Sequence, residues 1–454
     1  MRIFSSLNRE QKEAIGLLQI GTFLEYFDLM LYIHMAVLLN EIFFPKTDPQ
    51  TTALLAAFAF CATYVFRPVG ALIFGWMGDN IGRKSTIIAT TMMMSISCLI
   101  MANLPTYAQI GISAGWIMLF CRMAQGMSSM GEIIGAEIYI AESVKRPASY
   151  AAVAFVTVAS AVGAMAALGV ATAVTSYLLN WRIAFWVGAA IALVGAVART
   201  RLRETPDFLE MQRTKLSQSI ADLHRLENQE SANVIPQFKP PVWKDPIKPK
   251  TLISFFLIYC GWPLTFYLSY IYFNPMLKEN FGYSANDIII HNFFLSMVMV
   301  MVCVGFSFLT YYIHPIKIIK LRGIFAFLLM LLMPFMIGSI NSPIGLFLLQ
   351  SSILTLSLSG MPASAVFYYH FPISRRFTYA SFLYALTRTA MYIITSFGLV
   401  YLGNYGGHFG LWCITLPITI AFLYGVRHFE HLERKIGIYP NLSRATAPLV
   451  AQAA

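Results

Sequence analysis

Runs of about twenty apolar residues recur along nearly the whole chain, and each is long enough as a helix to cross a bilayer core of about 30 Å. This property restricts the fold, because a backbone in lipid must satisfy its own hydrogen bonds and does so only in helices or closed barrels. No sustained alternation of apolar and polar residues occurs, which argues against a barrel. The expected class is therefore an all-α membrane protein. Charge agrees: 12% of the 454 residues are charged, against about 25% in soluble domains, and the mean hydropathy is +0.64.

Twelve transmembrane helices are expected, near residues 15–40, 51–77, 85–103, 112–139, 148–178, 182–200, 251–276, 287–312, 322–340, 343–367, 378–402 and 408–427. Polar breaks separate them, among them "PKTDPQ" at 45–50, "GDNIGRK" at 78–84, "AESVKRP" at 141–147 and "ISRRF" at 373–377. Lys46, Arg182 and Lys278 fall on one side of this topology, and Arg67, Arg122 and Arg388 fall within spans. The other 26 or so of the 32 Lys and Arg lie on the opposite side, with both chain ends, which the positive-inside rule makes cytoplasmic. The net charge of +11 is thus a topology signal, and no folded basic domain exists to present it to nucleic acid.

The longest connection, about Arg201 to Lys250, is polar and carries Pro236, Pro240, Pro241, Pro246 and Pro249. It divides the chain into an N-terminal six-helix bundle (1–200), a cytoplasmic linker (201–250), a C-terminal six-helix bundle (251–427) and a cytoplasmic tail (428–454). Two such pseudo-symmetric bundles are expected to be related by an axis normal to the membrane. An amphipathic helix is expected in "ETPDFLEMQRTKLSQSIADLHRL", a segment too short for a soluble catalytic domain. Arg2, Arg9 and Lys12 precede an apolar run that is too long and too acidic for a signal peptide, so it reads as a retained first span. The six cysteines lie in apolar runs without C-x-x-C spacing, which points to reduced thiols rather than a disulfide framework or metal site. Neither a P-loop nor a nucleophile–base set is present, so an ATP-driven pump and an enzyme are not expected, and no cofactor is implied.

Charges at membrane depth are costly and mark function or internal pairing. Glu25 and Asp28 lie about 15–20 Å from the start of span one, near the midplane, with Arg122 and Arg388 at similar depth. Glu25, Asp28 and Tyr32 share a helix face, and Arg122, Gln125, Ser129 and Glu132 fall within an arc of roughly 80°. That arc is expected to face the bundle interior. Two roles stay open for Glu25, Asp28 and Arg122: proton coupling through a changing acid–arginine pair, or a permanent structural ion pair. Arg388 is a candidate for bidentate recognition of a substrate carboxylate, with packing as the alternative. Trp262, Tyr267 and Tyr270 either line a pocket, offering cation–π contact, or pack the bundle.

"GWMGDNIGRK" at 75–84 resembles the signature of the major facilitator superfamily between its second and third helices, with Asn80 where a basic residue is usual. "RPVG" at 67–70, "RMAQG" at 122–126 and "RLRETPDF" at 201–208 are similar to further superfamily motifs. "GTFLEYFD" and "GEIIGAEIYIAESVKR" resemble its metabolite:proton symporter family, which includes proline/betaine, shikimate, 2-oxoglutarate and citrate transporters. "HFPISRRFTYASFLYALTR" at 370–388 is similar to that family's connection into the eleventh helix. In the second half the signature is reduced to "YYIHPIKIIKLRG" without Asp, so a differently built gate is expected there.

The resemblance implies a cytoplasmic gate of Gly75, Asp79, Gly82, Arg83, Glu142, Arg146 and Arg376, with solvated topology-setting charges as the alternative; depth, helix face and aromatic content make Tyr32, Arg122, Gln125, Trp262, Tyr267, Tyr270 and Arg388 the candidates for substrate contact. The resemblance also implies a monomer in the bacterial inner membrane that takes up a small carboxylate-bearing metabolite with protons. The substrate would be a zwitterion such as proline or betaine, or an organic acid, including a citrate-like chelator. A proton-driven drug or metabolite exporter and a transporter-like receptor are the alternatives.

Overall fold

The structure, a computed structural model, describes residues 7–43, 63–176, 180–229 and 247–440. The 45–50 connection with Lys46, Cys61, the linker prolines 236, 240, 241 and 246, and the tail beyond 440 lie outside the described residues. Among the described residues there is no strand. The first six helices are α1 (Arg9–Phe43), α2 (Arg67–Asn80), α3 (Arg83–Asn103), α4 (Ser113–Ser143), α5 (Ala148–Ser176) and α6 (Arg182–Arg199). The linker helix α7 (Pro206–Gln229) coincides with the amphipathic segment. The second half comprises α8 (Pro249–Phe281), α9 (Ala285–Leu309), α10 (Pro315–Ser339), α11 (Pro343–Thr355), α12 (Ser364–Tyr369), α13 (Arg376–Ile393, continued by a π turn into Leu399–Gly406) and α14 (Trp412–Lys435). Seven of these elements are long and apolar enough to cross a membrane, and large apolar side chains such as Trp76, Phe120, Val194, Leu332 and Ile344 point outward.

Packing repeats across the two halves. In the first, α1 lies against α5, α2 against α4, and α3 against α6; in the second, α8 lies against α13, α9 against α11, and α10 against α14. Counting α11 and α12 together as span ten, each second-half pair is a first-half pair displaced by six spans. The halves meet through α2 with α13 and through α5 with α9, two contacts that exchange when the halves are exchanged. This is the architecture of two pseudo-symmetric six-helix bundles. Gln11, at the start of α1, donates to the carbonyl of Ser143 at the end of α4, and Arg146 lies 3.7 Å from Glu433 at the end of α14. The start of α1 and the ends of α4 and α14 therefore share one face, called here the terminal face.

Two spans are broken where the sequence reads as continuous. The seventh is interrupted at Cys260 and carries a π turn at Leu268–Tyr272. The tenth stops at Thr355 and resumes at Ser364, after the segment "LSLSGMPA". The two breaks explain each other: the Leu358 carbonyl lies where a side chain on Gly261 would stand. Arg322 of α10 satisfies the carbonyls freed by the tenth-span break, donating to Ser357 and Met361 at 2.7 Å each. Neither break shows in the hydrophobic pattern, because the residues involved remain apolar or small.

Candidate functional site

The acids of α1 are buried inside the first half. Arg122 Nη1 donates to Asp28 Oδ2 at 3.1 Å and to Gln125 Oε1 at 2.9 Å, and its guanidinium lies 4.1 Å above the Tyr32 ring. Cys98 of α3 contacts the other carboxylate oxygen at 3.6 Å. The Glu25 oxygens are buried and have no hydrogen-bond partner among the described residues. Glu132 pairs with Arg199 of α6, whose guanidinium also donates to the Leu17 and Leu18 carbonyls and to Thr91. The polar arc of α4 does face the bundle interior, since Arg122, Gln125, Ser129 and Glu132 are all buried.

A cavity of about 450 Å³ lies where the halves meet, walled by α1, α4 and α5 on one side and by α8, α9, α13 and the tenth-span break on the other. α1 presents Thr22, Tyr26 and Met30 to it. Glu25, Asp28 and Tyr32 sit roughly 130° further round the helix at 100° per residue, so they turn into the first half. Of the residues read as substrate contacts, Trp262, Tyr270 and Arg388 line the cavity, whereas Tyr32, Arg122, Gln125 and Tyr267 do not. Tyr32, Arg122 and Gln125 are engaged with Asp28 and with one another. Tyr267 is buried in an apolar cluster to which both halves contribute. Arg388 is 5% exposed; its Nη2 donates to the Tyr384 hydroxyl at 2.8 Å, and its Nε and Nη1 have no partner among the described residues.

Toward the terminal face the cavity has a floor. Glu137 of α4 lines it, and its Oε2 accepts the hydroxyl of Tyr368 from α12 in the other half. Below that lies the constellation implied by the signature. Arg83 grips Glu142 with two bonds of 3.1 Å and donates to the Ile373 carbonyl at 2.9 Å, while Arg376 reaches Glu142 from the second half at 3.0 Å. Asp79 accepts the backbone N–H groups of Phe377 and Thr378 at 3.1 and 2.9 Å, so a first-half carboxylate caps the start of α13. Gly75 permits this approach, because a Cβ there would lie 2.7 Å from Thr378 Cα. Gly82 turns the chain at φ 142° beside Glu204, which accepts the Arg83 N–H at 3.0 Å. Arg146 belongs instead to a second cluster around Glu433.

Three groups escaped the sequence reading. Glu137 interrupts "IIGAEIYIA", and the rule that singled out Glu25 applies to it equally. Arg199 and Arg322 sit at span ends, where a basic residue reads as a topology signal. Their burial could be seen only once the neighbouring helices were in place.

The described geometry fits what comparison with known proteins finds. Residues 18–399 match the model of the Major Facilitator Superfamily. The proline/betaine transporter of Salmonella typhimurium is 34% identical over 205 residues, 43% of this chain and 41% of that one. The glycine betaine/proline/ectoine/pipecolic acid transporter OusA of Dickeya dadantii is 32% identical over the same shares. The matched segments thus span less than half the length of these relatives. A solved structure of the proton:xylose symporter XylE bound to 6-bromo-6-deoxy-D-glucose superposes with a TM-score of 0.72 at 14% identity, covering 92% of this chain and 96% of that one. The human organic anion transporter MFSD10 gives 0.66 at 16%, covering 93% and 100%. With a match across most of its length and the fold to accompany it, this multi-pass membrane protein belongs to the major facilitator superfamily.

Proposed function

We propose that the chain is a secondary transporter that takes up a small carboxylate-bearing metabolite together with protons. The observation that carries this reading is Arg388: a buried guanidinium at the interface of two halves, facing a cavity of about 450 Å³, with two nitrogens that have no partner among the described residues. A buried arginine needs acceptors, and a carboxylate supplies two in the right plane. Trp262 and Tyr270 in the same walls suit the apolar body or cationic end of a zwitterion. The superfamily is one of transporters rather than enzymes, and the relatives named for proline and betaine favour a zwitterion over a citrate-like acid.

The division into 1–200 and 251–427, joined by 201–250, supplies the two rocking bodies of alternating access around this site. The terminal face is the cytoplasmic one by its charge, in a bacterial inner membrane, and the protein acts as a monomer. The joints below the cavity then describe an outward-facing or occluded state. Asp28 with Arg122, and Glu25, are coupling candidates that lie off the cavity wall.

The test is uptake of labelled proline and glycine betaine into proteoliposomes under an imposed inward proton gradient. Gradient-dependent accumulation is expected, with Arg388→Lys raising KM at least tenfold through loss of the bidentate contact, about 1.4 kcal/mol or more. Uptake of labelled citrate or 2-oxoglutarate in place of the zwitterions would move the assignment to organic acids. Accumulation without a proton gradient would remove the coupling.

A further inference from the structure

Glu137 belongs to none of the ion pairs described above. It is the one acidic side chain among the described residues lining the cavity, and its single hydrogen bond crosses from the first half to the second. Its acceptance of the Tyr368 hydroxyl is extended by Tyr259, whose hydroxyl is 3.5 Å from that of Tyr368 and donates to Ser364 at 3.3 Å. The ionisable groups facing it from the packed elements are Tyr368 of α12, Tyr259 of α8 and, across the cavity, Tyr384 and Arg388 of α13 and Tyr26 of α1. Among these Arg388 carries the only permanent charge, and α5 contributes only hydroxyls and apolar groups to the cavity wall. On α4 itself, Glu132 and Glu142 are committed to Arg199 and Arg83.

We propose that Glu137 carries the coupled proton and that its bond to Tyr368 is the latch through which protonation is read by the other half. This rests on the transporter reading and deepens it. The proton passes from water in the cavity to a Glu137 oxygen, converting carboxylate to carboxylic acid, and leaves to water on the far side once the floor has opened. Ionised, Glu137 accepts a charge-assisted hydrogen bond, roughly twice as strong as a neutral one, and α4 is held to α12. Protonated, it keeps only the neutral bond, so the halves part more readily beneath the cavity. Loss of the proton at the terminal face restores the carboxylate that recloses the floor. Asp28 lacks this geometry, because its bond to Arg122 joins two helices of the same half and does not change when the halves separate.

The test needs no transported substrate. Thr157 lines the cavity from α5; with Thr157→Cys in an otherwise cysteine-free chain, a membrane-impermeant maleimide is applied to the terminal face of membrane vesicles. As pH falls from about 9 to about 5, the labelling rate, taken relative to an exposed reference cysteine (Lys145→Cys) at the same pH so that thiolate ionisation cancels, is expected to rise about fivefold to tenfold, the ratio between a charged and a neutral hydrogen bond. In Glu137→Gln the rate should change less than about twofold over that range. Tyr368→Phe, which keeps the ring, should label fast at every pH and serves if the Gln variant folds poorly. A Glu137→Gln or Tyr368→Phe protein that keeps the full pH response overturns the latch while leaving transport standing. A cysteine never labelled from the terminal face at any pH overturns alternating access, and with it both readings.

Discussion

Below the cavity the two halves are fastened twice at the terminal face, once around Glu142 of the first half and once around Glu433 of the second. Glu142 accepts two bonds of 3.1 Å from Arg83 and one of 3.0 Å from Arg376 across the interface, with Thr205 closing the set at 2.7 Å. Glu433 accepts one hydrogen bond, 2.8 Å from His370; His314 Nε2 stands 3.6 Å away, and Arg146 reaches across the interface to 3.7 Å. Across the interface the first joint is a 3.0 Å hydrogen bond from Arg376, whereas the second is only the 3.7 Å approach of Arg146, its two histidines lying in the same half as Glu433. The comparison separates a fixed joint from a yielding one. It also accounts for the missing aspartate of the second-half signature. His314 occupies the start of α10, its Nδ1 accepting the Ile316 N–H at 3.3 Å, and the acid is supplied from α14 instead.

The largest effect that would sharpen this asymmetry comes from neutralising each acid. Glu142→Gln removes the carboxylate that two buried guanidinium groups share, leaving Arg83 with Asp79 at 3.5 Å and Arg376 with Asp207 at 3.7 Å, and should cost about 3–5 kcal/mol, read as a fall in thermal stability of the detergent-solubilised protein. Glu433→Gln removes one hydrogen bond and two looser contacts and should cost about 1–3 kcal/mol. Equal losses would break the comparison. Next, Gly75→Ala places a Cβ 2.7 Å from Thr378 Cα and forces α2 away from α13 at the fixed joint. A penalty of about 1–3 kcal/mol on the closed state is expected, seen as faster maleimide labelling of the cavity from the terminal face. Unchanged labelling would mean that this joint does not govern closure.

The smallest effect concerns Asp207 of α7, 3.7 Å from Arg376 at the edge of the fixed joint. Burial, aided by nearby Glu142, pushes its carboxyl above the ordinary aspartate value, and Arg376 only partly opposes this. An acid raised in the folded state contributes stability when protonated, and that contribution is lost as pH rises through the raised value. Asp207→Asn should therefore be neutral or slightly stabilising at neutral pH, by less than about 1 kcal/mol because the group is partly exposed. Melting curves across pH provide the check. A clear destabilisation would show that Asp207 supports the fixed joint rather than merely bordering it.

Legibility in the sequence followed the reach of each physical rule. Asp28 and Arg122 could be matched by depth, since helical rise converts residue number into distance. Asp79, Arg83 and Glu142 could be placed at one boundary by a local motif. The assignment of Tyr32, Gln125 and Tyr267 to the cavity depended on the rotation of a helix about its axis, and spacing gives that only relative to residues on the same helix. Glu137 illustrates the converse: the intramembrane-charge rule applies to it, but it lies off the polar arc of α4, and its partner Tyr368, distant in sequence, is found only in the tertiary structure.

What the sequence alone determined is a chain of membrane-spanning helices in two blocks, with buried charges that require partners. The length of apolar runs and the cost of unpaired charge in lipid leave little choice there. Which side chains face the cavity, where spans seven and ten break, and how two unlike joints close the same face were decided by the tertiary structure. Those features depend on contacts between helices hundreds of residues apart, where the fit of one surface against another, rather than any local propensity, selects the rotation.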